Sequence, residues 1–179
     1  MRKVILFIAM SLDGYIADQH GNVDWLAGQD IDKENIDTYS EFIQNIDTVI
    51  MGWKTYHQIV TELSPDQWVY PHLKSYIVTH HPKHSTSHII FTQENPQDLV
   101  SHLKQDDGKD IWICGGAQII QSLLKNHLID EYHITVIPTL LGSGIRLFQD
   151  NNLTIPLELM NYRENNGMMK LIYIPRKEC

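Results

Sequence analysis

Short apolar runs alternate with helix-like stretches along the whole chain, and this rhythm limits the possible folds more than any other feature. "KVILFIAM" (3–10) is a continuous apolar run rich in β-branched and aromatic residues, the composition of a strand covered on both faces. "DTVIMG" (47–52), "KSYIVT" (74–79), "HIIFT" (88–92) and "DIWICG" (110–115) are runs of the same kind, and "EYHITVIP" (131–138) is longer and alternates in part. Between them the apolar period becomes helical. Residues 32–46 place Ile36, Tyr39, Phe42, Ile43 and Ile46 on one face. Helices are also expected over 54–63, over 117–128, and over 95–106, where Asn95 can cap and Pro96 takes the first helical position. Residues 153–176 read as two strands around Asn165-Asn166-Gly167, a hairpin turn. Strand–helix alternation predicts an α/β fold with a mixed, mostly parallel central sheet flanked by helices, the hairpin supplying antiparallel strands. The 179 residues suit a single domain spanning 1–179, and no linker or low-complexity tract divides them.

The net charge of -8 argues against general nucleic-acid binding and against an anionic membrane surface, but not against a local anion site. The first apolar run is too short to span a bilayer, and "SLDGYIAD" after it is a poor signal-peptide cleavage site. A cytoplasmic chain with an N-terminal strand is expected. Cys114 lies in an apolar run and Cys179 at a loose end, so no disulfide is expected.

Three strand exits carry candidate chemistry. Gly115-Gly116 stands between a strand and a helix, where unpaired backbone N–H groups and the helix dipole favour an anion and no side chain obstructs it. The pair also fits a plain tight turn, and neither G-x-G-x-x-G nor a P-loop is present. Gly52 precedes Lys54 and Thr55, which suit either a phosphate or a simple cap with a solvated charge. Thr79, His80 and His81 follow a strand at the end where α/β proteins bind ligands. One extended anionic ligand accounts for all three exits. The histidines of "THHPKHSTSH" (79–88) lack zinc-ligand spacing, and a solvated loop without metal is expected there. The four tryptophans, at 25, 53, 68 and 112, read as packing residues. Asp13-Gly14 is a strong turn dipeptide; a second reading puts Asp13 near a substrate, as an orienting group or a proton relay.

"AMSLDGYIA" (9–17), "VIMGWKTY" (49–56), "YIVTHHP" (76–82), "ICGGAQII" (113–120) and "LIDEYHITVIPTLLGSGIRLF" (128–148), in this order, resemble the dihydrofolate reductase fold. The resemblance is closer to the C-terminal reductase domain of bifunctional riboflavin-biosynthesis proteins, of which "SLDG" is a signature. It implies an eight-stranded mixed sheet, NADPH as cofactor, and a cis peptide at Gly115–Gly116. It implies that Gly115 and Gly116 lie under the cofactor, with Ala117, Gln118 and Ile119 along the pyrophosphate and Gly52, Lys54 and Thr55 on the other side. Thr79 and His80 would lie near the adenosine ribose and its 2′-phosphate. Ala9, Ile16 and Ala17 would edge the nicotinamide, and Thr135 matches a threonine beneath the pterin. Trp53 stands where many relatives carry Arg, and the first-helix acid of dihydrofolate reductases has only Asp37 and Glu41 as candidates. The activity implied is hydride transfer to 5-amino-6-(5-phosphoribosylamino)uracil or a similar small substrate, with dihydrofolate reduction or non-catalytic nucleotide binding as alternatives. Relatives of this type pair through their late strands, so a homodimer is expected through residues 129–144.

Overall fold

The computed structural model describes residues 1–30, 32–33, 36–81, 83–150 and 152–176, so Pro82 and Cys179 lie outside the described residues. Its main sheet has eight strands: β1 (Val4–Ser11), β3 (Ile46–Gly52), β4 (Lys74–Val78), β5 (Ile89–Thr92), β6 (Asp110–Gly115), β7 (Glu131–Ile137), β9 (Leu157–Asn165) and β10 (Met168–Pro175). Their spatial order is β5-β4-β3-β6-β1-β7-β10-β9. All neighbours from β5 to β7 run parallel, and β10 and β9 add antiparallel pairs at one edge. The mixed, mostly parallel sheet thus matches the expectation from apolar rhythm. Two short strands escape that rhythm: β2 (Tyr15–Ala17) pairs with β8 (Ile145–Arg146) in a separate ribbon.

Helices cover both faces. On one side α3 (Pro96–Leu103) and α4 (Ala117–Lys125) bury Leu99, Val100, Ile120 and Leu123 against Val4, Leu6, Ile50, Ile111 and Ile113. On the other, α1 (Thr38–Ile43) and α2 (Trp53–Gln58), the latter continued by a π-helical turn at Ile59–Leu63, bury Phe42 and Ile59 against Ile5, Val49, Met51, Ile77 and Trp112. Successive strand residues feed opposite cores, which is why the central strands read as unbroken apolar runs. Among the described residues no helix is long and apolar enough to cross a membrane.

Two expectations are corrected. The helix expected over 32–46 is only Thr38–Ile43; Ile31, Glu34 and Asn35 lie outside the described residues. Asp37 opens it, accepting a hydrogen bond from the Ser40 N–H (2.8 Å), while Ile36 is 47% exposed and Ile46 already belongs to β3. Ile46 matched the helical period by coincidence, because its burial comes from the sheet. The second correction concerns residues 129–144. β7 lies inside the sheet between β1 and β10, and Ile129, Tyr132, Ile134 and Ile137 are buried within the same chain. Most of that apolar character needs no partner, though Leu140 remains 70% exposed.

The glycines of "LLGSG" have a local cause. Gly144 has φ +148°, and a methyl on its Cα would sit 2.2 Å from the Ala17 carbonyl oxygen. Gly144→Ala should therefore push β8 off β2 and cost about 2 kcal/mol or more, read as a lower urea midpoint with unchanged slope.

Candidate functional site

The parallel strands β1, β3, β4 and β6 end together at one edge of the sheet, and the sheet opens there. β1 and β6 are in register from Val4↔Ile111 to Leu6↔Ile113, and the β3–β6 register shifts between Ile50 and Met51. Beyond those points the strands lead into two strand-to-helix exits that touch each other. A methyl on Gly52 would lie 3.6 Å from Ile119 Cγ1 and 3.9 Å from the Gly116 nitrogen; one on Gly116 would lie 3.5 Å from Thr55 Oγ1.

Those contacts are ordinary, and so are the backbone angles. Gly52 has φ -81°, ψ 163° and Gly116 has φ -78°, ψ -167°, values that any residue adopts. The fold itself therefore does not require glycine at either position, so their bare backbones leave room for something outside the chain. Gly115 differs: its φ is +126°, and the Gly115–Gly116 peptide is cis. At the start of α4, the Ile119 and Ile120 N–H groups donate to the Gly116 carbonyl (3.1 and 3.3 Å), and Gly116 provides no side-chain cap. The first-turn N–H groups of Ala117 and Gln118 have no acceptor within the helix. This cradle fits a phosphate-bearing cofactor.

The remaining residues line the same edge. Lys54 is exposed and Thr55 half-buried on the first turn of α2. β4 lies beside β3 with Val78 opposite Gly52, which brings Thr79 and His80 to the rim. Thr79 is buried and accepts the His81 N–H at its hydroxyl (3.0 Å), whereas His80 is exposed. Trp53 packs against His57 and His81, with Lys83 Nζ 5.1 Å above its ring, so a lysine and two imidazoles gather at the position where many relatives carry Arg. Sequence reading had placed His81 at the strand exit but had not singled out Lys83; the link of either to Trp53 is purely spatial. Among the described residues no three His, Cys, Asp or Glu side chains come together as a metal site.

Asp13 is tied down by several donors. Ser11 Oγ donates to Oδ1 (2.6 Å), as does the Leu141 N–H (3.1 Å), and the Gly142 N–H donates to Oδ2 (2.7 Å). The Ser11 hydroxyl, followed by the Gly142 and Leu141 amides, lowers its carboxyl to about 2, so Asp13 is an acceptor at neutral pH. This arrangement suits orienting the 139–142 loop and not relaying a proton. Asp13→Asn turns an amide towards one of those N–H donors, and faster hydrogen exchange at Gly142 is expected at pH 6. Because the folded carboxyl is depressed, its contribution is present above the unfolded value near 3.9 and is lost as pH falls through about 2; the difference between the two proteins should vanish there.

Ala9 pairs with Thr135 across β1 and β7, and both are half-buried on the α1 side of the sheet. Ile16 and Ala17 lie on β2. Of the two candidate first-helix acids, Asp37 is the α1 cap and Glu41 is exposed against Arg163 (3.3 Å). Neither is a buried, unpaired carboxylate.

The chain matches the family described as the RibD C-terminal domain over residues 2–169. It is 38% identical to the Bacillus subtilis (strain 168) protein YwjB over 176 residues, covering 97% of this chain and 98% of that protein. A putative riboflavin biosynthesis protein from Shewanella sp. PV-4 superimposes with TM-score 0.82 at 26% identity, over 98% of this chain and 99% of that one. The diaminohydroxyphosphoribosylaminopyrimidine deaminase/5-amino-6-(5-phosphoribosylamino)uracil reductase of Thermotoga maritima shares the fold alone, with TM-score 0.70 at 14% identity, over 98% of this chain and 57% of that one. An eight-stranded sheet opening on paired glycine exits, with a family match spanning almost its whole length, makes this chain a member of the RibD C-terminal domain family.

Proposed function

We propose that the protein is a cytoplasmic NADPH-dependent reductase that transfers a hydride to a small heterocyclic or ribosylamino substrate of the 5-amino-6-(5-phosphoribosylamino)uracil type, as in riboflavin biosynthesis. The observation carrying this reading is the pair of glycines, Gly52 and Gly116, that neither backbone angles nor packing demand and that stand side by side where β3 and β6 end. Gly115, Gly116, Ala117, Gln118 and Ile119 would hold the cofactor's pyrophosphate from the β6–α4 side, and Gly52, Lys54 and Thr55 from the β3–α2 side. Thr79 and His80 would meet the adenosine ribose and 2′-phosphate.

NADPH, when bound, supplies the hydride. The chain orients and shields: Ala9, Ile16 and Ala17 border the nicotinamide, small enough at two positions to admit a ring, and Thr135 lies across from Ala9 as a substrate contact. Asp13 acts by fixing the loop after β7, next to the substrate. The dihydrofolate alternative lacks support, since neither Asp37 nor Glu41 is a buried acid. The test is cofactor oxidation followed at 340 nm with 5-amino-6-(5-phosphoribosylamino)uracil and with dihydrofolate. Turnover is expected with the first. NADPH binding without turnover on any pterin or riboflavin precursor would favour a non-catalytic nucleotide-binding role.

We also propose a homodimer. Seven of the fourteen exposed large apolar residues, Leu140, Ile145, Phe148, Leu153, Leu159, Met160 and Tyr162, fall between 140 and 162 among the described residues, a density that suits a buried surface.

A further inference from the structure

Strand register lays out a second surface beside the cofactor opening. Paired residues share a face of the sheet, so Ala9, Thr135, Lys170 and Arg163 form one row across β1, β7, β10 and β9. Phe7, His133, Ile172 and Asn161 form the next row, and Ile5 with Glu131 the one after. α1 crosses above these rows, with Phe42 stacked on Phe7 (ring centroids 4.2 Å). Between α1 and the strands lies a cleft of about 380 Å³ whose polar lining includes Lys3, Glu41, Asp110, Glu131, His133 and Lys170.

Pairing among the described residues of the cleft leaves one cation over. Glu131 accepts from Lys3 Nζ (2.7 Å) and from His133 Nε2 (2.9 Å). Glu41 faces Arg163, and the Asp110 carboxylate accepts the Lys3 backbone N–H (2.8 Å). Lys170 is half-buried, and among the described residues its ammonium has no hydrogen-bond or ion-pair partner; it lies over the Phe7 ring, 5.0 Å from Nζ to centroid. Burial, with the Arg163 charge, holds Lys170 below the usual lysine range against the opposing pull of Glu41. A second polar atom is also unmatched. Glu131 can only accept, so His133 Nε2 donates to it, and Nδ1 is left as a buried acceptor without a partner. Three free ammonium donors at the wall of a cleft on an acidic protein point to an anionic group supplied from outside.

The geometry points to Lys170, assisted by Arg163, as the residue that binds an anionic group of the substrate, a phosphate or a carboxylate, in the cleft beneath α1. This rests on the reductase reading for the other end of the substrate. Neighbouring strands are about 4.8 Å apart, so the Lys170 backbone stands about 10 Å from Ala9 and that of Arg163 about 14 Å. A substrate with its reducible carbon beside Ala9 and Thr135 would thus extend along the row, its charged end at Lys170. Specificity for charged over neutral substrates would come from this lysine, which among the described residues has no ion-pair partner.

Ribose 5-phosphate, p-aminobenzoylglutamate and uncharged ribose are titrated by calorimetry into the full chain and into Lys170→Met and Arg163→Gln, with NADPH titrated separately into each. One of the two anionic probes is expected to bind and ribose is not, the binder showing whether the group is a phosphate or a carboxylate. Lys170→Met should weaken that probe about tenfold or more, Arg163→Gln about threefold, with NADPH affinity held within twofold. Arg163 is exposed, so its variant tests the site even if Lys170→Met fails to fold. Neither anion binding to a chain that takes NADPH overturns the proposal and leaves the cofactor reading standing, as does unchanged affinity in either folded variant. Anion binding lost in Lys170→Met from a chain that does not take NADPH supports the cleft and overturns the reductase reading instead.

Discussion

Gly116→Val is expected to weaken NADPH binding more than 100-fold while the protein unfolds within a few degrees of the parent. The two halves of this result come from separate facts. Gly116 has extended backbone angles that valine adopts readily, and the nearest atom to a Cβ there is Thr55 Oγ1 at 3.5 Å, so the folded chain accommodates the change. The same Cβ and its two methyls would stand at the start of α4, beside the Ala117 and Gln118 N–H groups that have no acceptor within the helix. A phosphate held by those groups would be displaced, with loss of charge-assisted hydrogen bonds worth roughly 1.5–3 kcal/mol each. Losing one or two such bonds gives the expected factor, since about 2.7 kcal/mol is 100-fold. Fluorescence titration with NADPH, alongside a thermal melt, reads both quantities. A folded variant with parental affinity would reduce the glycine pair to a turn and remove the main support for the cofactor assignment. Gly115→Val makes a contrasting control: at φ +126° it should destabilise the fold itself.

Leu140→Asp combined with Tyr162→Asp should convert a dimer into a monomer, raising the dissociation constant at least 100-fold. Leu140 is 70% and Tyr162 67% exposed, so neither supports the core of its own subunit, and the isolated chain should keep its melting temperature to within the loss due to dissociation. Four carboxylates brought into a two-fold interface would each carry a desolvation cost of several kcal/mol without a partner. Leu141 is a poorer choice for this experiment. It is half-buried, and its N–H holds Asp13, so Leu141→Asp would mix loop damage with any interface effect. Sedimentation velocity at micromolar concentration decides the matter. A parental protein that sediments as a monomer would end the dimer proposal, and a dimer that survives both substitutions would move the interface away from this surface.

The resemblance in "ICGGAQII" and "VIMGWKTY" singled out two exits 63 residues apart, counted from Gly52 to Gly115, and the sheet brings them within van der Waals contact. Their local character was legible because each consists of an apolar run, a glycine and a helix start, all within a few residues. The helix expected over 32–46 was misjudged because a helical period carries no information on what buries a residue, and Ile46 is buried by β3. β2 and β8 were missed because each is too short to show a period, and their pairing joins residues more than a hundred positions apart. The four histidines of 79–88 read as a solvated stretch, and most of that stretch is exposed; the contact of His81 and Lys83 with Trp53 arises only when β4 ends beside β3.

The sequence by itself determined the class of fold, the strand–helix order and the hairpin. Periodicity and turn chemistry are local: Asn166 and Gly167 adopt the positive φ values of a two-residue turn wherever the hairpin is placed. Only the tertiary structure decided what each polar side chain meets. The buried Asn166 side chain accepts from the Asp30 N–H (3.0 Å) and donates to the Asp30 carbonyl (2.9 Å), tying the hairpin tip to a loop 136 residues earlier in the chain. Asp13, which the sequence offered as turn, orienting group or relay, is an anchor because the loop after β7 returns two N–H groups to it. Lys170 was not singled out in the sequence, and its lack of a hydrogen-bond or ion-pair partner among the described residues follows from the way the acids of the cleft are taken by Lys3, His133 and Arg163. Hydrogen bonds and ion pairs act over a few ångströms in space, and distance along the chain does not reveal which groups will come that close.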